Sequence, residues 1–271
     1  MPANPDTIYI LARRVLLDAL DALDAHLNAI TLVGAQAIYL RTGEADLAVS
    51  PYTTDGDLLL DPRVLQSQPR LEEAMRRAGF IPDQGQPGIW VAASEVTIDL
   101  LVAEAQGGPG RRGARLGPHG NSAARKARGL EAALVDRSLM EVQALDAIDR
   151  RSVRVAVAGP GALLVAKLHK LADRESSPSR REDKDALDIL RLLRAISTQR
   201  LSALIGMLRE DSLAGEVTRE AVVHLEILFA RPESTGSKMA AQAASPLAAP
   251  AETALACSLL TQDLLRAIQQ S

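Results

Sequence analysis

Two aspartates one residue apart, Asp55-Gly56-Asp57, open an apolar run that ends at Leu60. Side chains alternate along an extended strand, so Asp55 and Asp57 leave on one face and Gly56, Leu58 and Leu60 on the other. Two carboxylates this close repel each other unless a cation lies between them. Mg²⁺ suits such a pair, with Mn²⁺ as its substitute, because it takes hard oxygen donors and often keeps substrate phosphates in its shell. A second run alternates Val96, Ile98, Leu100 and Val102 with Thr97, Asp99 and Leu101. It sets Asp99 on the face away from its apolar row. Were the two strands neighbours, three carboxylates would meet, a set able to hold two metal ions for phosphoryl or nucleotidyl transfer. Asp-x-Asp also arises by chance, and Asp55, Asp57 or Asp61 can cap a turn. The acids alone leave metal site and turn cap both open.

Gly34 belongs to the same chemistry. It closes the apolar run Ile30–Val33 and is followed by Ala35 and Ala37. A glycine at a strand-to-helix junction lets a phosphate approach backbone N–H groups at a helix N-terminus, where the helix dipole favours an anion. Small residues there also serve helix packing. The downstream acid pair is what makes this glycine informative.

The elements that must position these residues follow from periodicity. Ile8, Leu11, Val15, Leu16, Leu20, Leu23 and Leu27 have helical spacing, which predicts an amphipathic helix over 7–29. A strand is expected at 30–33, a short helix at 35–40, a loop at 41–53 and a strand at 54–60. A helix is expected over 69–79, with Pro69 near its start and Gly79 at its end. Runs 89–93 and 96–102, two residues apart, read as an antiparallel hairpin. Residues 1–105 are thus expected to form a small α/β (α+β) sheet domain.

Residues 106–129 differ in kind: rich in glycine, without an acidic residue, and carrying Arg111, Arg112, Arg115, Arg125, Lys126 and Arg128. They read as a basic insertion, either a flexible surface excursion or a mobile arm for phosphates. From 130 to 230 the chain reads as mainly helical, with one strand at 153–157 and helices over 161–174, 183–196, 199–210 and 216–230. A polar loop is expected at Glu175–Arg181. Residues 231–250 read as a linker, and a short amphipathic helix closes the chain at 251–269.

Composition bounds the class. The chain has 271 residues, of which 47% are hydrophobic, 24% charged and 2% aromatic, with a formal net charge of −3. That balance excludes a disordered tail or a histone-like cation. One cysteine, Cys257, excludes a disulfide scaffold, and its place in the terminal helix suits a buried structural thiol. No stretch approaches about 18 uninterrupted apolar residues, and no signal peptide is read at the N-terminus. The expected location is the cytoplasm, without a membrane partner. The charge divides unevenly: residues 1–105 carry seven basic and fifteen acidic side chains, residues 106–200 nineteen and eleven. An acidic segment for metal before a basic one for a polyanion fits that division. His26, His119, His169 and His224 have no metal-ligand spacing.

The order VGAQAIYL, TTDGDLLL and VTIDLLV resembles the minimal nucleotidyltransferases of the DNA polymerase β-like superfamily. The later VAGPGALLVAKLHKLADR and REDKDALDILRLL resemble the helical region of AbiEii-type nucleotidyltransferases, many of them toxins or abortive-infection proteins. The likeness covers roughly residues 8–196. It implies a small mixed sheet with flanking helices, followed by a mainly helical region that completes the nucleotide site. It implies that Gly34 and Ala35 form the turn that meets the triphosphate, that Asp55 and Asp57 hold the metal, and that Asp99 is the third acid. Lys167 and Arg174 would meet nucleotide phosphates, and Lys184, Asp185 and Asp188 would form the later Lys-Asp…Asp motif. Many relatives have Ser, Thr or a second Gly at the position of Ala35, and often an arginine before the acid pair, where this chain has Pro51-Tyr52-Thr53-Thr54.

The implied activity is metal-dependent transfer of a nucleoside monophosphate from an NTP to a hydroxyl on an RNA end or a protein side chain. The chain would then be a toxin with a cognate antitoxin. The alternative is a catalytically inactive binding module on the same fold. An Asp-x-Asp glycosyltransferase ranks last, because no long nucleotide-binding domain precedes the acids.

Overall fold

The computed structural model describes residues 5–43, 52–110, 112–175 and 183–270. It divides into two compact units. The first comprises Met1–Ala37, Pro51–Leu130 and Arg137–Ala158, and the second Ile38–Ser50, Glu131–Asp136 and Gly159–Ser271. The expected mixed α/β class holds: an eight-stranded mixed sheet with flanking helices, then a helical C-terminal region.

The sheet lies in the first unit. Its strands are β1 (Ile30–Val33), β2 (Asp55–Leu60), β3 (Ile81–Pro82), β4 (Ile89–Val91), β5 (Thr97–Ala103), β6 (Arg125–Ala127), β7 (Arg137–Gln143) and β8 (Ser152–Ala158). They run in the order β3-β4-β5-β2-β1-β8-β7, with β6 paired to β5. β1 is antiparallel to β2 and parallel to β8. β2 and β5 are parallel, and β4 and β5 form the expected antiparallel pair.

The core explains this order. Helix α1 (Pro5–Ala22) buries Ala12, Leu16 and Leu20 completely. It packs on the sheet face formed by Gly56, Leu58, Leu60, Ile98 and Leu100, all of them buried. A side chain at Gly56 would press on Ile98 and Leu16, so glycine lets the helix lie close to β2. The first turn of α2 (Gly34–Thr42) follows β1 directly. α3 (Leu71–Arg77) completes the unit. Trp90 faces Ile98 across the ladder, on the side of the sheet opposite Asp99.

The basic glycine-rich stretch is neither a loose excursion nor an arm. Its interleaved Ala114, Leu116, His119, Ala123 and Ala124 are buried, Trp90 Nε1 donates to the Ala123 carbonyl at 3.0 Å, and β6 joins the sheet. Arg111 lies outside the described residues. β7 was also not expected. Its RSLMEVQ sequence is largely exposed and shows no alternation, because β7 is an edge strand.

The second unit holds α4 (Pro160–Glu175), α5 (Asp183–Ala195), α6 (Thr198–Glu210), α7 (Gly215–Phe229), α8 (Thr235–Ala244) and α9 (Pro250–Gln270). α8 stands where a linker was expected. Its small residues Gly236, Ser237, Ala240, Ala241 and Ala244 are buried against α5 and α9, a packing face that hydrophobicity patterns miss. Cys257 is fully buried in α9, and burial pushes its thiol up to about 12. The loop expected at Glu175–Arg181 lies, from 176 on, outside the described residues. Among the described residues no helix is long and apolar enough to cross a membrane.

His119 ties the folded basic stretch to α3. Its Nδ1 accepts from the Leu71 N–H at 3.1 Å, so the ring proton sits on Nε2 and is donated to the Gln66 carbonyl at 2.8 Å. Burial lowers its pKa below the ordinary 6.5, and His26 and Arg70 push the same way against the Gln66 bond. The folded state therefore refuses a proton that the unfolded state takes up. The resulting stability is present above about pH 6.5 and is lost as pH falls through the folded-state value. Denaturant titrations across pH should show a shallower acid decline for His119→Gln than for wild type; equal slopes would contradict this role.

Candidate active site

The acids are positioned by ladder register. Asp57 is the Cα partner of Val33 on one side and of Asp99 on the other, and Asp55 is the partner of Thr97. Residues opposite one another in a sheet share a face. Asp55, Asp57 and Asp99 therefore stand together on the face away from α1.

Gly34 follows Val33, and its missing side chain is what lets Asp57 lie where it does. Its φ is +69°, and a methyl group built there would overlap Oδ2 of Asp57. Two requirements thus coincide at one residue: a left-handed backbone and room for a carboxylate. Ala35, buried beside it, offers only its backbone to a ligand.

Asp55 is held at both ends. The Thr53 hydroxyl, fully buried, donates to its Oδ1 at 2.5 Å, and Gln36 Nε2 donates to its main-chain carbonyl at 3.0 Å. Asp99 is about nine-tenths buried, and its Oδ2 accepts from Arg125 Nη2 of β6. Among the described residues, no group of three or more His, Cys, Asp or Glu side chains is disposed to hold a metal ion. The three acids thus meet in register without forming a three-carboxylate cage, and one oxygen of Asp99 is given to an arginine. A donor set of two carboxylates on one face still fits Mg²⁺, which commonly takes one or two carboxylates and completes its shell with water and substrate phosphates.

The other expected residues form a separate group within the helical unit. Lys167 was expected to face phosphates, yet it is 5% exposed. Its Nζ lies 2.5 Å from Asp185 and 2.7 Å from Asp188, and Lys170 Nζ lies 3.2 Å from Asp185. Burial pulls the Lys167 ammonium down in pKa, but the two carboxylates carry it well above its ordinary value. A cation at this depth recruits anions from its own chain, so α4 and α5 are joined by a buried ion cluster. Lys184 is half-buried on α5. The side chain of Arg174 lies outside the described residues. The N-terminus of α4 is filled by Asp136, which accepts from the Ala162 N–H at 3.0 Å.

Sequence reasoning missed Thr53, Gln36 and Arg125. Thr53 stands two residues before Asp55, and Gln36 two after Gly34. Spacing along strand and helix could have flagged both. Nothing local flags Arg125, one of six cations in its stretch.

Two substitutions test these placements. Gly34→Ala should cost roughly 1–3 kcal/mol in denaturant unfolding, the range for a non-glycine residue held in the left-handed region; a neutral substitution would contradict the contact with Asp57. Lys167→Met removes the cation that Asp185 and Asp188 share, leaving Asp185 its contact with Lys170, and should cost about 3–5 kcal/mol. A solvent-facing phosphate ligand would cost within about 0.5 kcal/mol, so a change that small would remove the cluster from the account.

A nucleotidyltransferase family model matches residues 14–211, which span the sheet with its acids as well as α4, α5 and α6. No curated protein and no solved structure matches the chain. With the acids, the glycine turn and their register inside the matched region, the chain belongs to the nucleotidyltransferase family.

Proposed function

We propose that the chain transfers a nucleoside monophosphate from an NTP to an acceptor hydroxyl, with Mg²⁺ or Mn²⁺ held by Asp55 and Asp57. The observation that carries this reading is the register that sets Asp57 between Gly34 and Asp99. When bound, the metal offsets charge on the phosphates and orients them for in-line attack. Gly34 and Ala35 present main-chain N–H groups to the triphosphate at the start of α2. Asp55 is kept from turning by Thr53, and Asp57 by the confines of Gly34. The free oxygen of Asp99 accepts a hydrogen bond from the acceptor hydroxyl, while Arg125 fixes the carboxylate plane.

The acceptor we propose is an RNA end or a protein side chain, in the manner of the AbiEii-type proteins that the motifs resemble, with a cognate antitoxin. Exposed Arg112 and Arg115, which have no side-chain partner among the described residues, supply positive charge suited to a polyanionic acceptor. The competing reading, a binding module without turnover, draws on the engagement of Asp99 by Arg125.

Mg²⁺-dependent release of pyrophosphate from NTPs, with total RNA or protein as acceptor, separates the two. Wild type should turn over. Asp57→Asn should fall by more than about 100-fold, the upper end for loss of the supporting residues of a metal site. Nucleotide binding without turnover by wild type would establish the module reading instead.

A further inference from the structure

Arg13 is among the largest fully buried side chains, 2% exposed on α1, and no carboxylate among the described residues contacts it. A cation in that position is normally paired with an anion. Here each nitrogen finds a neutral acceptor. Nε donates to Gln36 Oε1 at 2.7 Å, Nη1 to the Gln143 carbonyl at 2.9 Å and Nη2 to the Tyr9 hydroxyl at 2.9 Å, with the guanidinium over the Tyr9 ring. Burial lowers its pKa from the ordinary arginine value.

The consequence lies in Gln36. An arginine can only donate, so the end of the Gln36 amide that faces it must be the oxygen. The NH₂ end is thereby aimed the other way, at the Ala12 carbonyl (3.3 Å) and the Asp55 carbonyl (3.0 Å). Gln36 is 1% exposed and sits in the first turn of α2, two residues after Gly34. The relay thus ties the turn that carries Gly34 to the first residue of the acid strand.

We propose that Arg13, acting through Gln36, is a positioning residue for the metal-binding acid pair: it sets the main chain of Asp55 relative to the Gly34 turn. The inference rests on Asp55 and Asp57 holding a divalent cation. Arg13 touches neither substrate nor metal. Its guanidinium fixes the direction of one amide, and that amide fixes one carbonyl.

Direct Mn²⁺ binding to the full chain, followed by calorimetry with a non-hydrolysable NTP analogue, tests the relay, with thermal melting as the control for folding. Gln36→Glu keeps the size of the side chain and an acceptor for Arg13. It replaces the donor to Asp55 with a carboxylate oxygen. The double variant Arg13→Met/Gln36→Met removes both polar groups together and leaves apolar chains of similar size. Each should melt cooperatively and bind Mn²⁺ about 10–100-fold more weakly than wild type, the usual loss for a residue that supports a metal ligand. Wild-type affinity in either folded variant would overturn the relay. Asp57→Asn, run in parallel, tests the reading beneath it. If wild type binds no Mn²⁺, or Asp57→Asn binds it unchanged, the acid-pair reading fails and takes the relay with it. If only the Arg13 and Gln36 variants leave binding unchanged, the relay alone is wrong.

Discussion

The close approach of Asp57 to Gly34 is the constraint on which the site depends. β1 and β2 are neighbouring antiparallel strands, and α2 must leave β1 where Asp57 projects from β2. Any side chain at residue 34 would occupy the position of the Asp57 carboxylate. The same glycine supplies the left-handed turn from which α2 starts. One missing side chain therefore decides both where the helix begins and where the acid lies. The parallel pairing of β2 with β5 then delivers Asp99 to the same face without further demand on the sequence.

The two faces of the central strands divide the labour. α1 covers the face of Gly56, Leu58, Ile98 and Leu100, and burial there holds β2 and β5 in register. A slip of one residue would turn the acids into that core. The hydrophobic side of each strand thus fixes the chemistry of its other side. The polar supports of Asp55 are likewise buried: Thr53, Gln36 and Arg13 are each at most 2% exposed.

Much of this was legible in the sequence because it follows from period and spacing. Alternation in TDGDLLL and VTIDLLV gave the shared face of the acids, and the run Ile30–Val33 ending in Gly34 gave the turn. The basic residues were harder to read, because a charge shows what a side chain can bind and not what lies beside it. Lys167 looked like a phosphate ligand and is taken by Asp185 and Asp188. Arg125 looked like part of a mobile arm and holds Asp99 from within the sheet. Arg13 carries a charge on α1 and is nonetheless buried in a network of neutral acceptors. In the helical unit, α8 escaped notice because alanine and glycine pack closely without a hydrophobic stripe. In each case the deciding partner is distant in sequence.

The central claim is that a divalent cation sits between Asp55 and Asp57 when nucleotide is bound. Anomalous scattering from a crystal of the full chain grown with Mn²⁺ and a non-hydrolysable NTP analogue locates that ion directly. The account predicts a Mn²⁺ peak coordinated by both carboxylates, with the analogue's phosphates completing the shell and the triphosphate against Gly34. Phosphates bound elsewhere, or a Mn²⁺ peak that touches neither Asp55 nor Asp57, would contradict it.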